Sequence, residues 1–216
     1  MTGESSQHTA IITGASRGLG LALARALARE NWTLIIDSRT EDALESAREE
    51  LARHTRVVAI PGDVTDPEHR GALARAAHEA GGVDALVNNA SILGPSPQPD
   101  LLDYPLDVLE EVYSANVVSP LALIQAVKAK LKGGARIINV TSDTAVEPYE
   151  GWGGYGSSKA ALEQLSNILA AETLGCASTA WIPATCGPGC TRKPSPTKTS
   201  ATVRYRKRAC QDSWSS

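Results

Sequence analysis

A tyrosine and a lysine four residues apart carry the clearest chemical potential in this sequence. Tyr155 and Lys159 stand at the start of a segment with helical apolar spacing, so they lie on one face of the predicted helix. A free phenol has a pKa of about 10, and a nearby ammonium lowers that pKa by favouring the phenolate. Ser142 comes thirteen residues before the tyrosine, and a serine hydroxyl can hold a substrate oxygen by a hydrogen bond. Together the three residues predict proton transfer to a carbonyl oxygen or from an alcohol.

A glycine-rich turn near the start of the sequence is suited to binding an anion. Residues 13–20 read Thr-Gly-Ala-Ser-Arg-Gly-Leu-Gly, between an apolar run at 10–12 and a helical run at 21–28. Glycine permits a positive φ and lets a ligand approach the backbone, and the first N–H groups of a helix attract a phosphate. The turn therefore predicts a site for the pyrophosphate of a dinucleotide. The alternatives are structural: an ordinary strand-to-helix turn here, and a half-buried tyrosine beside a surface lysine for the first motif.

The elements that would hold these motifs alternate between strand and helix as far as residue 175. Apolar runs predict strands at 10–12, 32–36, 57–60, 85–87 and 136–140, and helices are predicted at 21–28, 41–53, 66–80, 106–131 and 155–174. This order predicts an α/β fold, a Rossmann-type doubly wound parallel sheet with helices on both faces. Ligands of such sheets bind at the carboxyl ends of the strands, where each motif lies.

The length and the N-terminal residues limit the class of protein. A chain of 216 residues suits one such domain. Residues 1–8 are polar and have no apolar signal core, so we expect a disordered lead-in. No apolar run approaches the length of a membrane span, and a soluble, cytoplasmic protein is the expectation.

In this order, the motifs resemble those of the classical short-chain dehydrogenase/reductase family. Residues 13–20 look like the family's Thr-Gly-x-x-x-Gly-x-Gly. Asp63 and Val64 resemble the pair that contacts the adenine. Residues 88–90 resemble the start of Asn-Asn-Ala-Gly, with Ser91 in place of the last glycine. The resemblance covers residues 9 to about 175, which we take as an NAD(P)-binding Rossmann domain carrying the active site.

The resemblance implies a role for each active-site residue. Tyr155 is the general acid in reduction and the base in oxidation. Lys159 lowers the pKa of that tyrosine and bonds the nicotinamide ribose, while Ser142 polarises the substrate carbonyl. Asn116 holds a water that connects the lysine to solvent. The predicted catalytic residues are therefore Asn116, Ser142, Tyr155 and Lys159.

The end of the second strand favours NADP(H) over NAD(H). An acidic residue there binds the ribose 2′-OH of NAD, whereas an arginine accommodates the phosphate of NADP. Asp37 stands one place too early, Ser38 holds the discriminating position, and Arg39 follows it. This arrangement resembles the NADP-preferring members of the family, in which an arginine inside the glycine turn, here Arg17, is a second phosphate ligand. The alternative is that Arg17 and Arg39 are solvated surface charges. The predicted cofactor-binding residues are Gly14, Ser16, Arg17, Gly18, Leu19, Gly20, Ser38, Arg39, Asp63, Val64, Asn89, Ala90, Tyr155 and Lys159.

The composition changes abruptly after residue 175. The last segment has seven basic residues and one acid, Asp212, contains all four cysteines, and has no leucine. No strand period follows the predicted tyrosine-bearing helix, although the family continues with a sixth strand, a Pro-Gly turn and a threonine. We therefore expect the C-terminal strands to be missing and residues 176–216 to form a non-native, disordered tail.

Three explanations of this tail stay open. Its basic residues could bind nucleic acid or an anionic surface, although a nucleic-acid partner is not the expectation. The cysteine spacings do not match familiar zinc patterns, so no metal site is predicted. The third explanation is a lost base near codon 175. Synonymous codons for residues 176–187, read in a frame shifted by one base, translate as Val-Arg-Val-Tyr-Gly-Val-Asp-Pro-Gly-Asp-Met-Arg, an alternating strand followed by the family's Pro-Gly.

The resulting hypothesis is an oxidoreductase that transfers a hydride between NADP(H) and a carbonyl or alcohol substrate, impaired by its C-terminal segment. The alternative functions are a non-catalytic dinucleotide-binding protein and a nucleic-acid-binding tail. The resemblance also implies a homodimer or homotetramer that pairs through the two long helices. The identity of the substrate depends on residues 91–100 and 144–154, whose sequence does not define it.

Overall fold

The computed structural model describes residues 7–172 and 177–181. Six parallel strands form one sheet in the order β3-β2-β1-β4-β5-β6. Because sequential strands run outward from β1 in both directions, the sheet is doubly wound, and the predicted α/β class is confirmed. The strands are β1 Thr9–Ile12, β2 Thr33–Ser38, β3 Val57–Pro61, β4 Val83–Asn88, β5 Leu131–Val140 and β6 Ala177–Trp181.

Helices cover both faces of the sheet because the strands are apolar on both sides. In β1, Ala10 and Ile12 belong to one buried cluster with residues of the first two helices, and Ile11 belongs to the other, with residues of the third and fifth. Successive strand residues point to opposite faces, so a short apolar run supplies both cores. The helices are α1 Gly18–Arg29, α2 Glu41–Leu51, α3 Pro67–Glu79, α4 Leu106–Tyr113, α5 Ser119–Val127 and α6 Gly153–Glu172.

The sixth strand differs from the expectation that C-terminal strands would be missing. β6 pairs in parallel with β5, from Arg136 opposite Ala177 to Val140 opposite Trp181. The uncovered edge of β5 offers a row of N–H and C=O groups, and pairing them requires extended backbone rather than a particular side-chain period. The remaining tail predictions, including those on the four cysteines and the basic residues, lie outside the described residues, as does most of the lead-in.

The predicted helix at 106–131 is interrupted and ends earlier. A π-helical turn, Ser114–Val118, separates α4 from α5, and a 3₁₀ turn, Lys128–Lys130, leads into β5. Pro120 has no N–H, so it cannot supply the hydrogen bond that Asn116 would receive in a regular α-helix. The irregular turn therefore sits at a predicted catalytic residue. Across residues 7–172, no helix combines the length and apolarity that a bilayer crossing requires.

Candidate active site

The glycine turn between β1 and α1 is open toward a ligand. Gly14 and Gly18 have positive φ values of 66° and 55°. Arg17 precedes α1 without capping it by its side chain, so the first N–H groups of α1 have no capping side chain. A Cβ added to Gly18 would meet nothing within 4 Å in the part of the chain that the structure describes. The first residue of α1 therefore borders open space, which fits the pyrophosphate of a dinucleotide.

The other two glycines serve close packing of the turn. A Cβ on Gly20 would lie 2.4 Å from the Gly14 oxygen and 2.6 Å from Asn89 Nδ2. The Asn89 amide donates to the carbonyl oxygens of Thr13, at 2.8 Å, and Gly14, at 3.1 Å. The Thr13 hydroxyl accepts hydrogen bonds from the N–H groups of Asn89 and Ala90, both at 3.0 Å. The segment after β4 thus fixes the shape of the glycine turn.

The side chains at the end of β2 divide between the interior and the surface. Asp37 is 1% exposed, and its Oδ1 accepts the Gly14 N–H at 2.7 Å. The hydroxyls of Ser38 and Ser16 are 2.8 Å apart, so these two predicted cofactor residues adjoin. Arg39 is exposed, and no acidic side chain other than the inward-facing Asp37 occupies the last two positions of β2.

Asp63 and Arg39 meet at the same edge of the sheet. The guanidinium of Arg39 lies 3.8 Å from Asp63 Oδ2. The N–H and hydroxyl of Thr65 both donate to Asp63 Oδ1 at 2.8 Å. Burial alone would raise the pKa of Asp63, but these hydrogen bonds and the nearby Arg39 and His69 outweigh it and lower the pKa. Val64 follows directly, so the predicted adenine pair adjoins the predicted phosphate ligand.

Lys159 is more deeply buried than Tyr155, the other ionisable residue among the predicted catalytic residues. It is 2% exposed, and its Nζ donates to the Val140 carbonyl at 2.8 Å. Burial lowers the pKa of Lys159 to about 8. The Nζ lies 5.5 Å from the centroid of the Tyr155 ring, within the range of a cation–π contact. The buried Lys159 therefore lies against the Tyr155 ring, on the same face of α6, which agrees with their four-residue spacing.

Ser142 lies two residues after the end of β5 and caps the short 3₁₀ turn Asp143–Ala145. Its hydroxyl accepts from the Thr144 N–H at 3.3 Å and donates to the Asp143 carboxylate at 3.0 Å. This turn packs on the start of α6, where a Cβ on Gly156 would lie 2.9 Å from the Thr144 oxygen. The close approach brings the serine segment against the helix that carries Tyr155.

Asn116 links three parts of the site. It is fully buried, its Oδ1 accepts the Ile92 N–H at 2.9 Å, and its Nδ2 donates to the Ile92 carbonyl at 2.9 Å. The same Nδ2 lies 3.0 Å from the Ser158 hydroxyl, which donates to the Tyr155 carbonyl at 2.7 Å. The asparagine thereby ties the loop after β4 to the first turn of α6.

A cleft of about 630 Å³ borders this turn of α6. Its walls include Thr144, Tyr149, Trp152 and Ser157. The Trp152 ring meets the Tyr155 ring edge-on, with centroids 5.9 Å apart. Trp152 therefore lies between the cleft and the predicted acid–base residue Tyr155. We take this cleft as the candidate substrate side of the site.

Two supporting residues were missed by the sequence analysis. Ser158 lies between the tyrosine and the lysine, and nothing in its type distinguishes it from an ordinary helix serine. His69 is buried in α3 with its Nε2 3.0 Å from Asp37 Oδ2. Its helical spacing to Leu73, Ala76 and Ala77 could have indicated from the sequence that His69 lies on the buried face of the helix.

Comparison with known proteins agrees with this geometry. A family model described as short chain dehydrogenase matches residues 8–190. A short chain dehydrogenase of Penicillium thymicola is 34% identical over 171 residues, covering 75% of this chain and 62% of its own. An NADPH-dependent aldehyde reductase-like chloroplastic protein of Arabidopsis thaliana is 33% identical over 188 residues, covering 80% of this chain and 69% of its own. The chain spans about three-fifths of the length of the first curated relatives that it matches.

Solved structures show the same likeness. A short chain dehydrogenase from Pseudomonas syringae aligns with a TM-score of 0.78 and 29% identity, covering 84% of this chain and 77% of that one. An NAD⁺-bound xylitol dehydrogenase aligns with a TM-score of 0.78 and 27% identity, covering 84% and 72%. The matched family model spans the glycine turn, Asn116, Ser142, Tyr155 and Lys159. The chain belongs to the short-chain dehydrogenase family.

Proposed function

We propose that this chain transfers a hydride between NADP(H) and a small carbonyl or alcohol substrate. The observation that carries the proposal is the buried Lys159, whose Nζ lies 5.5 Å from the Tyr155 ring centroid at the start of α6. A buried ammonium beside a phenol favours the phenolate, which lets the phenol exchange its proton near neutral pH. The aldehyde reductase-like relative from Arabidopsis thaliana supports the same class of substrate.

The proton chemistry falls to this chain's own side chains. A bound nicotinamide supplies or accepts the hydride. In reduction, Tyr155 donates its hydroxyl proton to the carbonyl oxygen, and in oxidation it accepts the proton of the alcohol. Lys159 holds positive charge beside the phenol. The Ser142 hydroxyl, which donates to Asp143 in this structure, turns to the substrate oxygen and becomes its second hydrogen-bond donor.

The preference for NADP(H) over NAD(H) rests on the end of β2. Asp37 is turned inward to Gly14, so its carboxylate is engaged away from a ribose 2′-OH. Ser38 and the exposed Arg39 follow it, and an arginine there suits the 2′-phosphate. We expect Arg39→Ala to lower the preference for NADPH over NADH about tenfold, the usual effect of one charge-assisted contact. An unchanged ratio of the NADPH and NADH affinities would contradict the role of Arg39 in NADP(H) preference.

The function itself is tested with the full chain, its Tyr155→Phe variant and a panel of aldehydes and ketones. Titration of NADPH fluorescence measures cofactor binding, and NADPH consumption measures turnover. We expect Tyr155→Phe to reduce kcat about 10³-fold, because a positioned acid contributes roughly that factor. Its NADPH affinity should stay near that of the unmodified chain. Tyr113→Phe is the control, since Tyr113 ends α4 and does not line the cleft. Equal turnover in both variants would reject the proposed role.

We also propose that residues 176–216 are read out of frame and that they impair the enzyme. The support is the shifted translation of residues 176–187, which restores the family's alternating strand and Pro-Gly turn. The coding DNA around codon 175 tests it, because codons incompatible with the shifted reading refute the proposal. Restoring the frame should raise turnover about a hundredfold, the scale expected when a misplaced active-site wall is corrected. Salt-dependent nucleic-acid binding that disappears when residues 176–216 are deleted would support the basic-tail alternative instead.

A further inference from the structure

A buried acid–base pair lies directly behind the glycine turn. Asp37 ends the apolar run of β2 and is 1% exposed, and His69 in the first turn of α3 is 6% exposed. The two carboxylate oxygens have different partners: Oδ1 accepts the Gly14 N–H at 2.7 Å, and Oδ2 lies 3.0 Å from His69 Nε2. The imidazole thus contacts the turn only through the carboxylate.

The chemistry of the two groups assigns the donor. A carboxylate accepts hydrogen bonds, so we take the contact as a hydrogen bond from His69 Nε2 to Asp37 Oδ2. Room for the ring is provided at the end of β3, because a Cβ on Gly62 would lie 2.2 Å from His69 Nδ1. Three connections, at the ends of β1, β2 and β3, therefore meet around one buried carboxylate.

Both backbone polar groups of Gly14 are held by side chains. Asp37 accepts its N–H, and Asn89 Nδ2 donates to its carbonyl oxygen at 3.1 Å. Gly14 needs this support because its φ of +66° lies in the left-handed region, just before the N-terminus of α1. An apolar residue would suit β2 better, as Leu34, Ile35 and Ile36 do, since burying a carboxylate is costly.

We propose that Asp37 and His69 form a positioning pair that sets the Gly14 peptide for dinucleotide binding. His69 acts through Asp37 and does not touch the cofactor. By drawing the carboxylate inward, the pair also leaves Ser38 and Arg39 as the residues at the ribose edge. This inference rests on the proposed dinucleotide function.

The test compares His69→Ala, His69→Gln and Leu73→Ala in the full chain. Leu73 is fully buried one turn further along α3, in the cluster that does not include the glycine turn, so it controls for loss of stability alone. Each variant is measured for NADPH affinity by fluorescence titration and for thermal unfolding without cofactor. Amide hydrogen exchange of Gly14 gives a third measurement that needs neither cofactor nor substrate.

We expect His69→Ala to weaken NADPH binding about tenfold and to speed Gly14 exchange, because one charge-assisted hydrogen bond no longer orients the carboxylate. His69→Gln, whose amide N–H can replace Nε2–H, should recover most of the affinity. Leu73→Ala should unfold at a lower temperature yet bind NADPH like the unmodified chain. Where His69→Ala does not fold, Gly62→Ala replaces it, since its Cβ displaces the ring.

Two results would overturn the proposal. One is unchanged NADPH affinity and Gly14 exchange in His69→Ala, or in Gly62→Ala where that replaces it. The other is a loss of NADPH affinity in Leu73→Ala as large as that in His69→Ala, which would show that the loss comes from lower stability alone. An unmodified chain that binds neither NADPH nor NADH would reject the proposed function, and this inference with it.

Discussion

The two sides of the active site are built to different degrees. On the cofactor side, side chains from β2 and from the segment after β4 bond the backbone of the glycine turn. On the substrate side, Leu101, Leu102 and Leu106 are 64% to 100% exposed. The hydroxyls of Tyr104 and Thr144 are buried without a hydrogen-bond partner among residues 7–172 and 177–181. The cofactor side specifies a ligand through backbone geometry, whereas the substrate side leaves its specificity to exposed side chains.

The largest effect should come from adding volume to the cofactor side. Gly20→Val places a Cβ 2.4 Å from the Gly14 oxygen, so the turn or α1 must move. We expect the free energy of unfolding to fall by about 3 kcal/mol, and NADPH binding to be lost, because overpacking a tight contact costs on that order. Fluorescence titration and chemical denaturation measure both.

Gly133→Val is the matched control for this substitution. Gly133 is exposed, has no positive φ, and has nothing within 4 Å of its added Cβ. If Gly133→Val damaged NADPH binding as much as Gly20→Val, the contrast between a packed cofactor turn and the rest of the chain would be wrong.

A smaller effect, with a pH signature, should come from Lys159, which lies between the two sides. Burial lowers its pKa from 10.5 to about 8, so the unfolded chain binds more protons between these values. The stability of the unmodified chain therefore rises with pH through this window, and the cost of the buried charge is complete below about pH 8. Lys159→Met should raise the free energy of unfolding at pH 7 by about 1–2 kcal/mol, after the lost bond to Val140 is subtracted.

Lys159→Met should also lose turnover, because the ammonium that favours the phenolate is removed. Lys159 therefore lowers the stability of the fold while it supports the reaction. Denaturation at neutral pH and well above pH 10.5, where the lysine becomes neutral in both states, checks the sign. A stability gain that persists undiminished at the higher pH would contradict the assignment of that gain to the buried charge.

The smallest effect should come from the substrate side. Tyr104 is 5% exposed, and its hydroxyl is buried between Gly94 and Gly154, with no hydrogen-bond partner in the described part of the chain. Burial raises the pKa of this phenol. Tyr104→Phe should raise the free energy of unfolding by about 1 kcal/mol, because an unsatisfied buried hydroxyl is removed. Thermal denaturation measures it against Tyr149→Phe, whose hydroxyl is bonded to Glu147 and whose loss should bring no gain.

The fold and the cofactor side could be predicted from the sequence because their requirements are local. Apolar runs of a few residues mark buried parallel strands, and the glycines of residues 13–20 mark a turn that no other residue can form. The four-residue spacing of Tyr155 and Lys159 could place both on one helical face for the same reason.

What escaped prediction depends on contacts between distant segments. The pairing of β6 with β5 is a property of the edge of β5 and leaves no side-chain pattern in residues 177–181. His69 could be placed on a buried face, but its partner Asp37 lies 32 residues away in sequence. The water-holding role of Asn116 stays a prediction, but the bonds of its side chain to Ile92 and Ser158 and the irregular turn at Pro120 could not be predicted from spacing.

The hydrogen bonds from Asn89 to the glycine turn have a consequence for synthesis of the chain. The turn is complete as a sequence by residue 20, yet the side chain that fixes Thr13 and Gly14 is added about seventy residues later. Contacts of this separation close a long loop and form late in folding. A nascent chain on the ribosome, or a peptide containing only β1 and α1, should therefore fail to capture a dinucleotide, and the cofactor can assist folding only after β4 has docked.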